Sequence, residues 1–194
     1  FMRTINRNYH TNFTTYAELH AWSVERSDEF WKSIWDYFKI IGERGERIVV
    51  NPDQIPGAQW FPDAQLNFAE NLLRYNDDHV ALIFRGENGA RDQHTYAELR
   101  SEVAALAAAM KRHGVQPGDR VAAMVPNCVE AVIAMLATAS LGAIWSSCSP
   151  DFGVQGVVDR FGQIEPRLFI TFDGSYYHGK QLDVTEKVRD IRAQ

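Results

Sequence analysis

From Val80 onward, short apolar runs alternate with segments of helical period, and this alternation restricts the possible folds more than any other feature of the chain. Val80 to Phe84, Arg120 to Pro126, Ala143 to Cys148 and Arg167 to Phe172 read as strands. Between them, Leu99, Val103, Leu106 and Met110 share one helical face that Gly114 ends, and Val129 to Leu141 is a nearly all-apolar helix, expected to be buried on most sides. Val154 to Ile164 and about Leu182 to Ile191 read as further helices, the latter amphipathic through Val184, Val188 and Ile191. Strands that are apolar throughout must be covered on both faces. The predicted fold class is therefore α/β, part of a largely parallel sheet with helices on both faces. In such sheets ligands bind at the carboxyl ends of the strands, which directs attention to Val125-Pro126-Asn127, Cys148 to Gly153 and Asp173 to Lys180.

The N-terminal third lacks this alternation and reads as a helical, aromatic arm. Thr15-Tyr16-Ala17-Glu18 is a capping box, in which hydroxyl and carboxylate each satisfy an orphan backbone N–H, and Thr95-Tyr96-Ala97-Glu98 repeats it. A second helix is expected after Ser27, with Phe30, Trp31, Ile34, Trp35 and Phe38 on one broad buried stripe and Gly42 as its stop. Pro52, Pro56, Gly57 and Pro62 mark Asn51 to Pro62 as an irregular linker. A short helix anchored by Leu66, Phe68, Leu72 and Leu73 is expected to follow. Asn88-Gly89 signals a turn. The expected division falls at residues 1–66 and 67–194.

The 194 residues suffice for a domain with a core of its own, and a net charge of −5 without a Lys/Arg run argues against nucleic-acid binding. The most apolar stretch, Ala131 to Trp145, falls short of the roughly 20 residues of a membrane helix. No apolar run opens the chain, so no signal peptide is expected, and Phe1 in place of Met suggests a trimmed or excised fragment. Cys128 and Cys148 lie in apolar surroundings and read as reduced core thiols, which suits the cytoplasm. The six histidines lack metal-ligand spacing, no G-x-G lies between a strand and a helix, and no G-x-S-x-G elbow occurs.

Two constellations can carry chemistry. Gly174-Ser175-Tyr176-Tyr177-His178-Gly179-Lys180 matches G-x-x-x-x-G-K after a strand, but Gln181 stands where a phosphate loop needs Ser or Thr for magnesium. It reads as a nucleotide loop, as a solvated turn, or as a place where Lys180, at a helix start, meets a phosphate as a point charge. The polar loop Ser146 to Gly153 joins a strand to a helix, and Ser149 or Asp151 either caps that helix, contacts a ligand, or both.

The strings are informative beyond their periods. GDRVAAMVPNCVEAVIAMLATASLGAIWSSCSPDFG, Gly118 to Gly153, resembles the first part of the AMP-binding domain of the adenylate-forming acyl-CoA synthetases. LHAWSVE (Leu19 to Glu25), FWKSIWDYF (Phe30 to Phe38), WFPDAQLNFAENLL (Trp60 to Leu73) and WSSCSPDFG (Trp145 to Gly153) resemble the acetoacetyl-CoA synthetase branch rather than the acetyl branch. The acetyl enzymes usually carry a Phe-Gly-Gly-Phe type loop where this chain has Ser149-Pro150-Asp151-Phe152.

The resemblance implies a two-step ligase: ATP, with magnesium, converts acetoacetate to an acyl-adenylate and diphosphate, and coenzyme A then displaces AMP. Another short-chain acid is the nearest alternative, and a non-catalytic nucleotide-binding module the more distant one. The resemblance places 1–66 in the helical N-terminal segment of acetyl- and acetoacetyl-CoA synthetases, and 67–194 in a truncated AMP-binding domain. The family's catalytic and metal-binding motifs are expected beyond Gln194. The implied partners are the remainder of that domain and a mobile C-terminal domain of the same parent chain. Of the family's contacts, those to coenzyme A fall here: Lys180 and Tyr177 near the nucleotide phosphates, Tyr177 where relatives usually carry arginine, and Ser149, Pro150 and Asp151 on the adenine side.

Overall fold

The computed structural model describes the backbone of all 194 residues and every side chain except those of Ser175 and Tyr177. The chain divides into two units, Phe1–Leu66 and Asn67–Gln194.

In the first unit, α1 (Met2–Tyr9), α2 (Tyr16–Glu25) and α3 (Ser27–Phe38) precede a two-residue antiparallel ribbon, β1 (Val49–Val50) with β2 (Gln59–Trp60). The expected capping box opens α2: Thr15 accepts from the Glu18 amide, and Glu18 accepts from the Thr15 amide. Aromatic rings link the unit, with Tyr9 on Trp22, Trp22 on Phe30, Trp31 on Trp60 and Trp35 on Phe61. The stripe on α3 is not buried as expected. Trp31 is 43% and Phe38 55% exposed, while Ser33, on the same helix, is buried. The helix ends at Lys39 in the left-handed region, short of Gly42. Gly42 is needed for another reason: a Cβ there would stand 2.6 Å from the Gln65 carbonyl oxygen.

The second unit opens with α4 (Phe68–Leu72), capped by the Asn67 side chain. Its anchors are Ala69 and Leu73; Leu66, Phe68 and Leu72, expected to be buried, are exposed. Then follow the antiparallel pair β3 (Val80–Arg85) and β4 (Arg91–Thr95), and α5 (Tyr96–Arg112), whose capping box forms at Thr95 and Glu98. The central sheet comprises β5 (Arg120–Met124), β6 (Ile144–Cys148) and β7 (Leu168–Thr171), with α6 (Val129–Ser140) and α7 (Val154–Gly162) as crossovers. The strands are parallel in the order β6-β5-β7.

The register explains why β5 must be apolar on both faces. Val121 lies beside Trp145 and Leu168, and these face the cluster that α4, α5 and α6 build from Leu73, Leu99, Val103, Met110, Ile133 and Leu136. The alternate residues Ala122 and Met124 lie beside Ser146, Cys148, Phe169 and Thr171, and face Val157 and Phe161 of α7. The chain leaves β5 toward β6 and then crosses back to β7, so right-handed crossovers place α6 and α7 on opposite faces. Thr138, the buried polar residue of α6, satisfies its hydroxyl on the Ala134 carbonyl at 2.7 Å.

The end of the chain departs from the sequence reading. Gly174 to Lys180 is not a loop leading into a helix. It forms a hairpin, β8 (Gly174–Tyr177) with β9 (Lys180–Asp183), turning at His178 and Gly179 with φ of 50° and 72°. Two successive left-handed residues match the twist of a two-residue hairpin turn. Leu182 thus belongs to a strand, and the last helix, α8, runs Thr185–Arg192. Among the described residues no helix is long and apolar enough to cross a membrane.

Candidate functional site

The carboxyl ends of β5 and β6 open into a cleft of about 980 Å³. Its walls are the turn of the β3–β4 hairpin, the segment from Val125 into the first turn of α6, the loop after β6, and Gly174 and Tyr176 of β8. The connections from β5 and to β7 run in opposite directions, so the cleft lies at the topological switch of the sheet, where such folds accept ligands. The tips of two hairpins meet at its side: the Gly179 amide donates to Glu87 at 3.3 Å.

Ser149, Pro150 and Asp151 all line this cleft. Neither Ser149 nor Asp151 caps α7, contrary to one sequence reading: the N-cap is Gly153, and no side chain bonds the first turn. Instead the Ser149 hydroxyl donates to Asp151 at 3.1 Å, and the Phe152 amide donates to the Ser149 carbonyl at 3.3 Å. Two residues that the sequence did not single out hold the loop. The Lys187 ammonium donates to the carbonyls of Pro150 at 2.8 Å and Phe152 at 3.2 Å, and the Arg160 guanidinium lies 4.9 Å from the centre of the Phe152 ring.

Lys180 is exposed and does not border the cleft. Tyr176, which does, pairs across the hairpin with Gln181, so Lys180 belongs to the alternate register position. The Tyr177 side chain lies outside the described residues. Because Lys180 begins a strand and Gly174–Lys180 is a hairpin, no phosphate loop exists here, and the observation that favoured a stand-alone nucleotide module is gone.

The cleft carries charges of both signs. Arg85 and Arg91 are set against Glu87, Asp92, Glu130 and Asp151. A triphosphate would meet an excess of negative charge, and among the described residues no group of three His, Cys, Asp or Glu side chains is placed to hold a metal. The loop Ser149–Asp151 presents one hydroxyl, the Pro150 ring and the Asp151 carboxylate at the cleft. Burial raises the pKa of both Cys128 and Cys148; at Cys148 nearby Arg160 and Lys187 oppose the shift without cancelling it. Neither thiol is poised as a nucleophile.

Together, a parallel sheet covered by helices on both faces and a cleft at the carboxyl ends of its strands define an α/β domain with an opening where such folds accept ligands. Residues 68–194 match the model of the AMP-binding enzyme family, and residues 16–72 match that of the acetyl-coenzyme A synthetase N-terminus. The chain belongs to the AMP-binding enzyme family. Over 98% of its length it is 51% identical to the acetoacetyl-coenzyme A synthetase of Rhizobium meliloti, and over the same share 42% identical to a malonamoyl-CoA synthetase of Penicillium aethiopicum. It superposes on 97% of its length with the acetoacetyl-CoA synthetase of Streptomyces lividans at a TM-score of 0.90 and 42% identity. The chain spans 29% of the Rhizobium protein, 28% of the Penicillium protein and 30% of the Streptomyces chain.

Proposed function

We propose that this chain is the N-terminal part of an acetoacetate–CoA ligase, which joins acetoacetate to coenzyme A with conversion of ATP to AMP and diphosphate. The observation that carries the reading is the 51% identity to an acetoacetyl-coenzyme A synthetase across 98% of the chain. A carboxylate is a poor electrophile; adenylation gives it a leaving group, and the coenzyme thiol then displaces AMP. Charge stabilisation in that first step requires cationic donors and magnesium; the cleft offers Arg85 and Arg91 as cations, and among the described residues no group of three His, Cys, Asp or Glu side chains is placed to hold a metal. Because the chain spans 29% of that relative, the activity is assigned to the complete polypeptide, with the remainder of the AMP-binding domain and a mobile C-terminal domain as partners in the cytoplasm.

Within it, residues 1–66 form the helical N-terminal segment and 67–194 the first part of the AMP-binding domain. The chain as a whole contributes scaffold and part of the coenzyme A entrance. Ser149, Pro150 and Asp151 face the adenine, while Lys180, an exposed cation, and Tyr177 serve the nucleotide phosphates from the β8–β9 hairpin. The malonamoyl-CoA synthetase relative, 42% identical over the same span, favours one second reading: the same ligase chemistry on another short acid. Calorimetry on the chain tests its share of the work. The expected result is no heat with ATP and magnesium, and weak or no binding of coenzyme A. Tight binding of ATP with magnesium contradicts the assignment.

A further inference from the structure

The loop after β6 must turn from a buried strand end into α7 within the few residues Ser149 to Gly153, and its own bonds, between Ser149 and Asp151 and from the Phe152 amide to the Ser149 carbonyl, engage neither the Pro150 nor the Phe152 carbonyl. Pro150 donates no N–H, Asp151 spends its carboxylate on Ser149, and no side chain caps α7. The carbonyls of Pro150 and Phe152 are answered from elsewhere. Lys187 lies 37 and 35 residues away in sequence, yet its ammonium reaches both. Its own helix is fixed independently: Val184 is buried, and Val188 and Ile191 pack on the cluster of Val157 and Phe161 that seats α7. The ammonium is thus carried by a helix packed on the α7 cluster at one end and bound by two main-chain acceptors at the other. A hydrogen bond from a charged donor is about twice as strong as a neutral one, and two on one loop define its shape.

We propose that Lys187 is a positioning residue: by bonding the Pro150 and Phe152 carbonyls it shapes the Ser149–Phe152 loop so that the loop can receive the heterocycle of coenzyme A. Lys187 itself touches no ligand. The proposal rests on the assignment of this loop to the coenzyme made above. Arg160 over Phe152 holds the far end of the loop, so loss of Lys187 loosens the loop without unfolding α7.

Two measurements on Lys187→Met and Lys187→Arg separate the possibilities. In this chain, Lys187→Met should speed amide exchange at Phe152, whose amide donates to the Ser149 carbonyl, by about tenfold or more, while exchange in β5 and α6 stays unchanged. In the complete polypeptide, the same substitution should raise the KM for coenzyme A by about tenfold and leave turnover at saturating coenzyme and pyrophosphate exchange within about twofold of the parent. Arg, which keeps the charge, should restore most of the loss. Unchanged exchange in the loop overturns the positioning role. A uniform loss of protection, with every kinetic constant falling together, overturns it in favour of a purely structural lysine. Faster loop exchange with an unchanged coenzyme KM overturns instead the assignment of this loop to the coenzyme.

Discussion

Replacing Phe161 by alanine tests the packing that carries α7, and with it the cleft loop. Phe161 is 5% exposed, its ring centre lies 5.9 Å from that of Phe169 on β7, and Val157 and Ile191 belong to the same cluster. Truncating such a residue forfeits its transfer energy and leaves a cavity, a loss of about 3–5 kcal/mol. For a chain of this size each kcal/mol lowers the melting temperature by about 2–4 °C, so a fall of roughly 6–20 °C is expected. The assay is thermal unfolding followed by circular dichroism, repeated in urea. Ile83→Thr is the control: Ile83 lies on β3 with 69% exposure, and its loss should change stability by no more than about 0.5 kcal/mol. A Phe161→Ala shift no larger than that of Ile83→Thr would refute the two-faced core.

His94 supplies a pH prediction. Its ring nitrogens lie 3.0 Å from Asp92 and 3.2 Å from Glu102, and both can donate only in the imidazolium. The Asp92 hydrogen bond raises the His94 pKa against a desolvation penalty, with Glu102 and Glu98 adding to the rise, and the His94 bond in turn lowers that of Asp92. The pair's stabilisation is therefore complete below the ordinary imidazole pKa and above the ordinary carboxylate pKa. It is lost as pH rises through the raised His94 value, or falls through the depressed Asp92 value. Melting temperature should decline across the imidazole titration and flatten in His94→Gln; an NMR titration placing His94 at or below about 6.5 would contradict this. In the complete polypeptide, Lys180→Ala should raise the KM for coenzyme A by about ten- to a hundredfold and spare pyrophosphate exchange. Equal loss in both half-reactions would move Lys180 to the nucleotide or the fold.

The parallel sheet was legible because its central strand is buried on both faces and so reads as a continuous apolar run: Val121 through Met124 lose all exposure. The antiparallel ribbons were not. Arg91 to Thr95 contains no apolar residue, and is a strand because β3 pairs with it. In the final hairpin the signal was present. His178-Gly179 is a pair that tolerates positive φ between two four-residue strands, but the G-x-x-x-x-G-K pattern drew attention to a phosphate loop instead. On α3, helical spacing identified an apolar stripe but not how much of it is covered, and Trp31 and Phe38 remain exposed. Ser149, Pro150 and Asp151 could be placed at the cleft because they follow a strand's carboxyl end. Lys187 could not, since its partners are main-chain carbonyls 35 and 37 residues away that leave no trace in side-chain pattern.

The most direct test of the central claim compares this chain with the complete polypeptide that contains it. Both are assayed for pyrophosphate release from ATP and for thioester formation with acetoacetate, acetate and malonamate. The complete polypeptide should release pyrophosphate and form the thioester with acetoacetate in clear preference to the other acids, while the 194-residue chain stays at the no-enzyme level. A preference for another acid would contradict the proposed substrate. Adenylation by the chain alone would contradict the reading that the chemistry lies beyond it.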